Sequence, residues 1–296
     1  MAERNADQKG QKTVGWVTFD QMNGKTSGST RIRALNPIKY WPEAEVFVSG
    51  RKYDALIFQK AYWTPYAKLF DGVKIFDLCD PDWLDGSFNF REMIDVVDGL
   101  TCPTEEMAAF LKQFGKPIRV IPDRHDLESF KQNKQHKGRA KKALWFGFSH
   151  NFEPTMGRIR PYLEKYGLDL KIISNTKVSL AKNWQDREWE RHEKYVEWNN
   201  NNLEKVNWEM LEADFAILPR SVRLYDKYKS DNKKTHAWLL GLPVVEKADQ
   251  LERFMDEGER IKEGAEKREF ARANFDTKLS VQEYKEFIND LWKAKR

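Results

Sequence analysis

Short apolar runs of strand length recur along the chain, and segments with helical periodicity separate most of them. In the first half the runs lie at 14–19, 44–50, 53–60, 73–80, 96–104 and 117–123. The pattern resumes with runs at 143–149, 168–174, 214–220 and 242–246. Strands that alternate with helices are typical of parallel sheets with helices on their faces. The chain is therefore predicted to be an α/β protein with two such sheets.

A polar and basic stretch at 128–142 separates the two series and shows no apolar periodicity. We interpret it as a solvated linker between a Rossmann-like domain at 13–127 and a second one at 143–275. The last segment, 276–296, is a predicted helix whose apolar residues repeat at helical spacing, and it could pack back on the first domain. Two parallel sheets that face each other across a cleft would bind a ligand in that cleft.

The composition is that of a globular protein, with 40% hydrophobic and 33% charged residues. No stretch approaches the roughly 18 apolar residues of a membrane span, and the polar segment 1–12 lacks the apolar core of a signal peptide. The two cysteines, Cys79 and Cys102, form neither a disulfide framework nor a CxxC zinc motif. These observations predict a cytoplasmic protein. The net charge of +5 permits an anionic partner without requiring one.

The stretch 214–246 carries the strongest chemical signal. A predicted strand ends at Arg220, and Ser230 or Asp231 can cap the following helix, whose first turn holds two lysines at 233–234. Cations in a first turn oppose the helix dipole, so they are costly unless an anion lies nearby. The pattern therefore predicts a phosphate site, and the alternative interpretation is a solvated basic turn.

The segment KSDNKKTHAWLLGLPVVE resembles the donor-binding segment of retaining GT-B glycosyltransferases of the family-4 type. The pattern of that family is Lys-x-x-x-Lys-x-x-Glu-Ala followed by Gly-x-Pro-Val-Val. The positions that match it are Lys229, Lys233, Ala237, Gly241, Pro243, Val244 and Val245.

Further segments are similar to the same family in the same order along residues 14–275. VVDGLTCPTEEMAAFLKQFGKPIRVIPDRHD resembles the end of its N-terminal domain, KALWFGFSHN the start of its C-terminal domain, and ADFAILPR the strand that precedes its donor segment. The resemblance implies a GT-B fold, in which two Rossmann-like domains with parallel sheets face each other across a cleft.

The resemblance also implies a donor site for a nucleotide sugar, with a UDP-sugar expected. Cations and N–H groups would stabilise the departing diphosphate, so neither a metal nor another cofactor is required. The residues that would bind the donor are Arg220, Lys229, Ser230, Asn232, Lys233, His236, Gly147 and Asn151. The chain departs from the family at His236, which stands where the family has the glutamate that meets the ribose.

The loop after the first predicted strand is a candidate acceptor or phosphate loop. The family carries small residues there, and this chain has Gly28 and Ser29, followed by Arg31 and Arg33. Gly28 would let the backbone approach a ligand, and the two arginines could meet phosphate. The alternative is a flexible loop with an exposed arginine.

Two residues are candidate catalytic groups. Asp80, in FDLCDPDW, could act as the base that takes the proton of the acceptor hydroxyl. The three aspartates of this segment, Asp77, Asp80 and Asp82, could instead form a turn and helix cap or, with weaker support, a metal site. His150, in GFSHN, lies in a loop that faces the cleft in the family, although a single histidine can also be structural.

These features predict a glycosyltransferase that moves a sugar from a nucleotide sugar to an acceptor hydroxyl. The acceptor could be a hydroxymethylated DNA base, as in phage-type DNA glycosyltransferases, or a saccharide. The alternatives are a non-catalytic nucleotide- or sugar-binding protein of the same fold, favoured by the histidine at position 236, and a sugar-nucleotide epimerase of the same architecture.

Overall fold

A computed structural model describes residues 12–24, 27–86, 89–157, 159–181, 187–221 and 223–296. The chain divides into two compact units. The first consists of residues 1–125, 227–230 and 277–296, and the second of residues 126–226 and 231–276. Within the described residues, no helix combines the length and the apolar character that crossing a membrane requires.

The first unit is built on a parallel sheet of six strands. The strands are β1 (Val14–Thr18), β2 (Ala44–Val46), β3 (Ala55–Gln59), β4 (Val73–Asp77), β5 (Gly99–Cys102) and β6 (Ile118–Val120). Their order across the sheet is β2-β1-β3-β4-β5-β6, so the chain leaves β1 in one direction and later continues in the other. The switch point therefore lies between β1 and β3, where sheets of this kind bind ligands at their carboxyl ends.

Helices connect and flank these strands. They are α1 (Phe19–Asn23), α2 (Gly28–Thr30), α3 (Asn36–Lys39), α4 (Thr64–Leu69), α5 (Phe90–Val96), α6 (Glu105–Leu111) and α14 (Thr277–Ala294). A π-helical turn at Arg31–Leu35 joins α2 to α3, so residues 28–39 form one helix. Helix α6 begins after Thr104, because the Thr104 hydroxyl accepts a hydrogen bond from the amide of Met107 at 3.2 Å.

The C-terminal helix α14 packs on the sheet of the first unit. Its buried face includes Tyr284, Phe287 and Leu291, and the ring of Tyr284 lies 5.5 Å from that of Trp16 in β1. At Gly99 in β5 an added Cβ would lie 2.8 Å from both Phe287 and Leu291, so the glycine permits this close approach. The amphipathic pattern thus predicted a real helix, which begins at Thr277.

The second unit contains a parallel sheet of five strands. They are β7 (Lys142–Gly147), β8 (Asp169–Ser174), β9 (Glu193–Glu197), β10 (Phe215–Ile217) and β11 (Val244–Val245). The order is β11-β10-β7-β8-β9, which places the switch point between β7 and β10. The predicted α/β class with two parallel sheets is confirmed.

The remaining helices lie between β7 and α14 in the sequence. They are α7 (Phe152–Met156), α8 (Arg160–Tyr166), α9 (Arg187–Glu190), α10 (Leu203–Leu211), α11 (Leu224–Lys227), α12 (Asn232–Leu239) and α13 (Glu257–Asn274). Helix α8 ends at Gly167, which has a φ of +64°.

Two segments behave differently from their sequence pattern. The polar, Trp-containing stretch 183–202 predicts an insertion with exposed aromatic side chains, but 193–197 form an edge strand, and Trp189 and Trp198 pack into the unit. Trp184 lies outside the described residues. The predicted linker packs on the second unit, because Phe130 is buried and the amide of Lys134 donates to the carbonyl of Leu240 at 2.8 Å.

Candidate functional site

The carboxyl edge of the second sheet carries a glycine at the end of β7. Gly147 has a φ of +153°, which favours glycine over other residues. An added Cβ would lie 3.3 Å from Nζ of Lys233 and 3.4 Å from the ring of Trp145. Because β7 borders the switch point, this backbone lies where a ligand of such a sheet is expected.

Lys233 lies in the first turn of α12, the helix that precedes β11 in the sequence. Asp231 occupies the N-cap position, and the Lys233 ammonium lies 6.0 Å from the centroid of the Trp145 ring. The first turn of a helix attracts anions through its amide groups and its dipole. Lys233 therefore places a cation beside Gly147 at the edge of the sheet.

The two neighbouring lysines of this turn differ in their contacts. Lys234 forms ion pairs with Asp231 at 3.3 Å and with Glu246 at 3.2 Å. Arg220, at the end of the preceding strand segment, also bonds to Asp231. Lys234 is thus ion-paired with two carboxylates, while the Lys233 ammonium lies near the ring of Trp145 and the backbone of Gly147.

The loop after β7 contains two further predicted residues. Ser149–Asn151 form a short 3₁₀ turn, which is held by a hydrogen bond of 2.8 Å from the Ser149 amide to Oδ1 of Asn175. His150 is exposed and its ring lies 5.8 Å from that of Phe148, whereas Asn151 is half-buried at the start of α7.

His236 faces the interior of the second unit. Its side chain is 2% exposed, and its Nε2 lies 2.8 Å from Oδ1 of Asn207. The ring of Phe130 lies 4.8 Å away, and the amide of Asn207 donates to the Ser129 carbonyl at 2.7 Å. The residue that replaces the family glutamate therefore belongs to a buried hydrogen-bonded pair.

In the first unit, the predicted acceptor loop is the start of a helix. Gly28 and Ser29 lie in its first turn, and Ser27 caps it by accepting a hydrogen bond from the Thr30 amide at 3.1 Å. Arg31 is half-buried in the π-helical turn that follows. Such turns interrupt regular helices and are frequent at functional sites.

Arg33 is 2% exposed and lies in a buried charge network. Its guanidinium bonds to Asp77 at 2.5 and 2.9 Å and to Asp123 at 2.9 Å. The hydroxyl groups of Thr101 and Tyr284 also donate to Asp77, at 2.5 and 2.9 Å. Burial opposes the charge of Arg33, but the carboxylates outweigh it and raise the pKa of its guanidinium.

Asp80 lies between two lysines. Lys60 donates to one of its oxygens at 2.6 Å, and Lys229 bonds to the other. Burial raises the pKa of Asp80, but the two lysines outweigh this effect and hold it well below its usual value. Asp82 receives a hydrogen bond of 2.6 Å from Tyr62, and burial raises its pKa.

Within the described part of the chain, no group of three or more His, Cys, Asp or Glu residues is placed to hold a metal ion. Cys79 and Cys102 are buried free thiols. Burial raises the pKa of Cys102 to about 12 and also raises that of Cys79, so both stay protonated near neutral pH.

No sequence motif singles out Lys60 or Asp123 as a site residue. Each follows a parallel strand at its carboxyl end, and this position was the available signal. Lys60 is the non-glycine residue with positive φ, +50°, among the described residues. Such a backbone conformation often marks functional sites, but no sequence pattern announces it.

No family model matches the chain, and no curated protein matches it in sequence. Solved structures do match it. TarM of S. aureus has a TM-score of 0.61 at 13% identity over 79% of this chain, which spans 54% of TarM. AviGT4, a glycosyltransferase involved in avilamycin A biosynthesis, has a TM-score of 0.57 at 11% identity and covers 96% of this chain and 99% of its own.

An α-glucosyltransferase, solved in complex with UDP and a 13-mer DNA containing a central A:G mismatch, has a TM-score of 0.62 at 10% identity. The match covers 95% of this chain and 100% of that one. Together with the two parallel sheets, these likenesses show that the chain has the GT-B fold, as the sequence resemblance predicted.

Replacing Arg33 by Met should lower the free energy of unfolding by about 3–5 kcal/mol, because it leaves two buried carboxylates without their cation. Urea unfolding followed by tryptophan fluorescence measures the loss. Arg51→Met is the matched control, since Arg51 pairs with Glu45 at the surface, and its stability should stay near that of the wild type. Equal losses in the two variants would contradict the buried network.

Proposed function

We propose that the chain is a glycosyltransferase that moves a sugar from a nucleotide-sugar donor, held by the second unit, to an acceptor hydroxyl. The observation that carries the proposal is the approach of the Lys233 ammonium to Gly147 at the switch point of the second sheet. The GT-B fold supports it, because the similar structures include glycosyltransferases.

In this proposal the donor diphosphate lies against the first turn of α12. Lys233 and Asn232 contact the phosphates, the backbone of Gly147 permits close approach, and Arg220 adds a second cation at the same edge. Asn151 meets the nucleoside side of the donor. Two of the similar structures contain UDP, which favours a UDP-sugar.

The chemistry follows from this charge distribution. The bond between C1 of the sugar and the diphosphate oxygen breaks, and the bond between C1 and the acceptor oxygen forms. The leaving diphosphate gains negative charge, which Lys233 and the helix N-terminus stabilise. This stabilisation needs no metal ion, because the cations are built into the protein.

The proton of the acceptor hydroxyl must leave during transfer. His150 is the stronger candidate for this step, because its ring is exposed and an imidazole nitrogen can accept a proton. Asp80 is a weak proton acceptor, since Lys60 and Lys229 hold its pKa far below neutrality. Gly28, Ser29 and Arg31 are proposed to meet the acceptor at the first turn of their helix.

A hydroxymethylated base in DNA is the proposed acceptor. The chain carries a net charge of +5, and one similar structure of nearly equal length contains DNA. A saccharide is the second candidate, because TarM has been solved with fondaparinux and α-GlcNAc-glycerol.

We also propose a cytoplasmic location, since Cys79 and Cys102 are free thiols.

A non-catalytic nucleotide-sugar-binding protein is the second candidate function. The buried position of His236 favours it, because this side chain takes the place of the glutamate that meets the ribose in the resembling family. Release of UDP from a UDP-sugar on addition of an acceptor would exclude this alternative. Binding of the nucleotide without transfer or hydrolysis would support it.

Lys233→Ala should weaken UDP binding by roughly 10- to 100-fold, because a hydrogen bond to a charged group contributes about 1.5–3 kcal/mol. Isothermal titration calorimetry measures the affinity. Lys234→Ala removes the same charge from the adjacent position, but this side chain pairs with Glu246 and Asp231, so its affinity for UDP should change little. Unchanged binding by Lys233→Ala would refute the donor site.

Gly147→Ala should also weaken UDP binding, because the new Cβ would lie 3.3 Å from the Lys233 ammonium and occupy the space of the ligand. Gly138→Ala is the matched control. Gly138 has a φ of +61°, and no atom lies within 4 Å of an added Cβ. Its replacement by alanine therefore introduces backbone strain without filling a binding site. Both variants should lose stability in thermal unfolding, and a similar loss of UDP affinity in both would refute the role of Gly147.

The acceptor proposal predicts transfer from a UDP-sugar to duplex DNA that contains hydroxymethylated bases, detected by mass spectrometry of the digested nucleosides. Unmodified duplex of the same sequence is the control and should receive no sugar. Affinity for the duplex should fall steeply as salt rises, because phosphate contacts release counterions. Transfer to a saccharide but not to modified DNA would select the second candidate acceptor.

A further inference from the structure

Residues 227–230 belong to the first unit, although the chain on both sides of them belongs to the second. We call Tyr228–Ser230 the docked segment. The carbonyl of Tyr228 accepts a hydrogen bond from the Thr104 hydroxyl at 3.2 Å, and its ring lies 5.1 Å from that of Trp83. The first residue of the segment is therefore held by both a polar and an aromatic contact.

The second residue, Lys229, bonds to a carboxylate whose orientation is already fixed by a neighbouring cation. Its ammonium bonds to Oδ1 of Asp80, and the other oxygen of Asp80 accepts from Lys60 at 2.6 Å. Lys60 is itself fixed, because it is mostly buried, pairs with Asp82 at 3.2 Å and has a left-handed backbone at the end of β3. Asp80 is thus oriented toward Lys229 by its own surroundings.

The third residue, Ser230, repeats this arrangement. Its hydroxyl donates to Oδ2 of Asp123 at 2.5 Å, while Oδ1 of Asp123 accepts from the buried guanidinium of Arg33 at 2.9 Å. Arg33 is fixed in turn by Asp77. Two successive residues therefore each meet a carboxylate whose second oxygen is held by a buried cation.

We propose that Lys229 and Ser230 are positioning residues that anchor the docked segment to the carboxyl edge of the first sheet and are not ligands of the donor phosphates. Ser230 is followed directly by Asp231, the N-cap position of α12, and then by the turn that carries Lys233. Anchoring the segment orders the chain that leads directly into this turn. The inference rests on the proposed function, because it concerns the approach to the proposed donor site.

The physical gain is preorganisation. Ordering a residue costs backbone entropy, and a binding site that is ordered before its ligand arrives avoids this cost at binding. Contacts that hold Tyr228, Lys229 and Ser230 without nucleotide would therefore raise donor affinity from a distance.

A double-mutant cycle on Lys229→Met and Asp80→Asn separates anchoring from direct ligation. Anchoring predicts that both single variants weaken UDP binding by a similar factor, about tenfold, and that the double variant loses no more than either one. Direct ligation predicts a loss in Lys229→Met but unchanged or tighter binding in Asp80→Asn, which would release the lysine. That second result would overturn the proposal. Lys227→Met, an exposed position in the same stretch, is the charge-matched control and should bind UDP as the wild type does.

Hydrogen exchange of the amides of residues 228–232, measured without nucleotide, tests the anchor independently. Lys229→Met and Ser230→Ala should each raise the exchange rate there severalfold, and Lys227→Met should not. Because Ser230 bonds to Asp123 and not to Asp80, the exchange rates of Ser230→Ala still test the anchor if Asp80→Asn fails to fold. Unchanged exchange in both anchor variants would overturn the proposal. If the wild-type protein binds no nucleotide, the proposed function fails, while the exchange measurement still decides whether the segment is anchored.

Discussion

A guanidinium buried at the carboxyl edge of the first sheet dictates much of the architecture around it. Arg33 can stay charged in the interior only because Asp77 and Asp123 neutralise it, and an uncompensated charge there would cost several kcal/mol. The network gathers distant parts of the chain, since Asp77 ends β4, Asp123 follows β6 and Tyr284 belongs to α14. The helix at 28–39 includes a π-helical turn at the position of Arg33.

The same edge shows how paired charges give direction to a surface segment. Asp80 and Asp123 each bind a buried or nearly buried cation with one oxygen and present the other oxygen to the docked segment. A carboxylate held in this way has little freedom to turn away. In the second unit a comparable network ties Arg220 and Lys234 to Asp231, and the Lys233 ammonium lies close to Gly147. In both units, fixed carboxylates therefore orient cations near the carboxyl edge of a sheet.

The parts of the fold that local pattern could predict are those with strong local signals. The runs at 53–60 and 73–80 became β3 and β4, because both are apolar and buried at nearly every position. Thr104 begins α6 as an N-cap and Gly167 ends α8, which are the roles that these residue types favour. The strand at Glu193–Glu197 was missed, because it lies at the edge of the sheet and three of its five residues are charged.

The candidate site was less accessible to prediction than the fold. The positions of Gly147 and Lys233 followed from the family pattern, and the structure brings them together. Arg33 and Lys229 were predicted to meet phosphate because they are cations near expected loops, whereas no sequence pattern indicated their carboxylate partners, which lie 44 and 149 residues away in the chain. Sequence by itself determined two parallel sheets and the order of their strands along the chain, because hydrophobic periodicity, caps and turn residues act over a few positions. Only the tertiary structure decided which carboxylates Arg33, Lys229 and Arg220 meet, because those partners come together through folding and not through spacing.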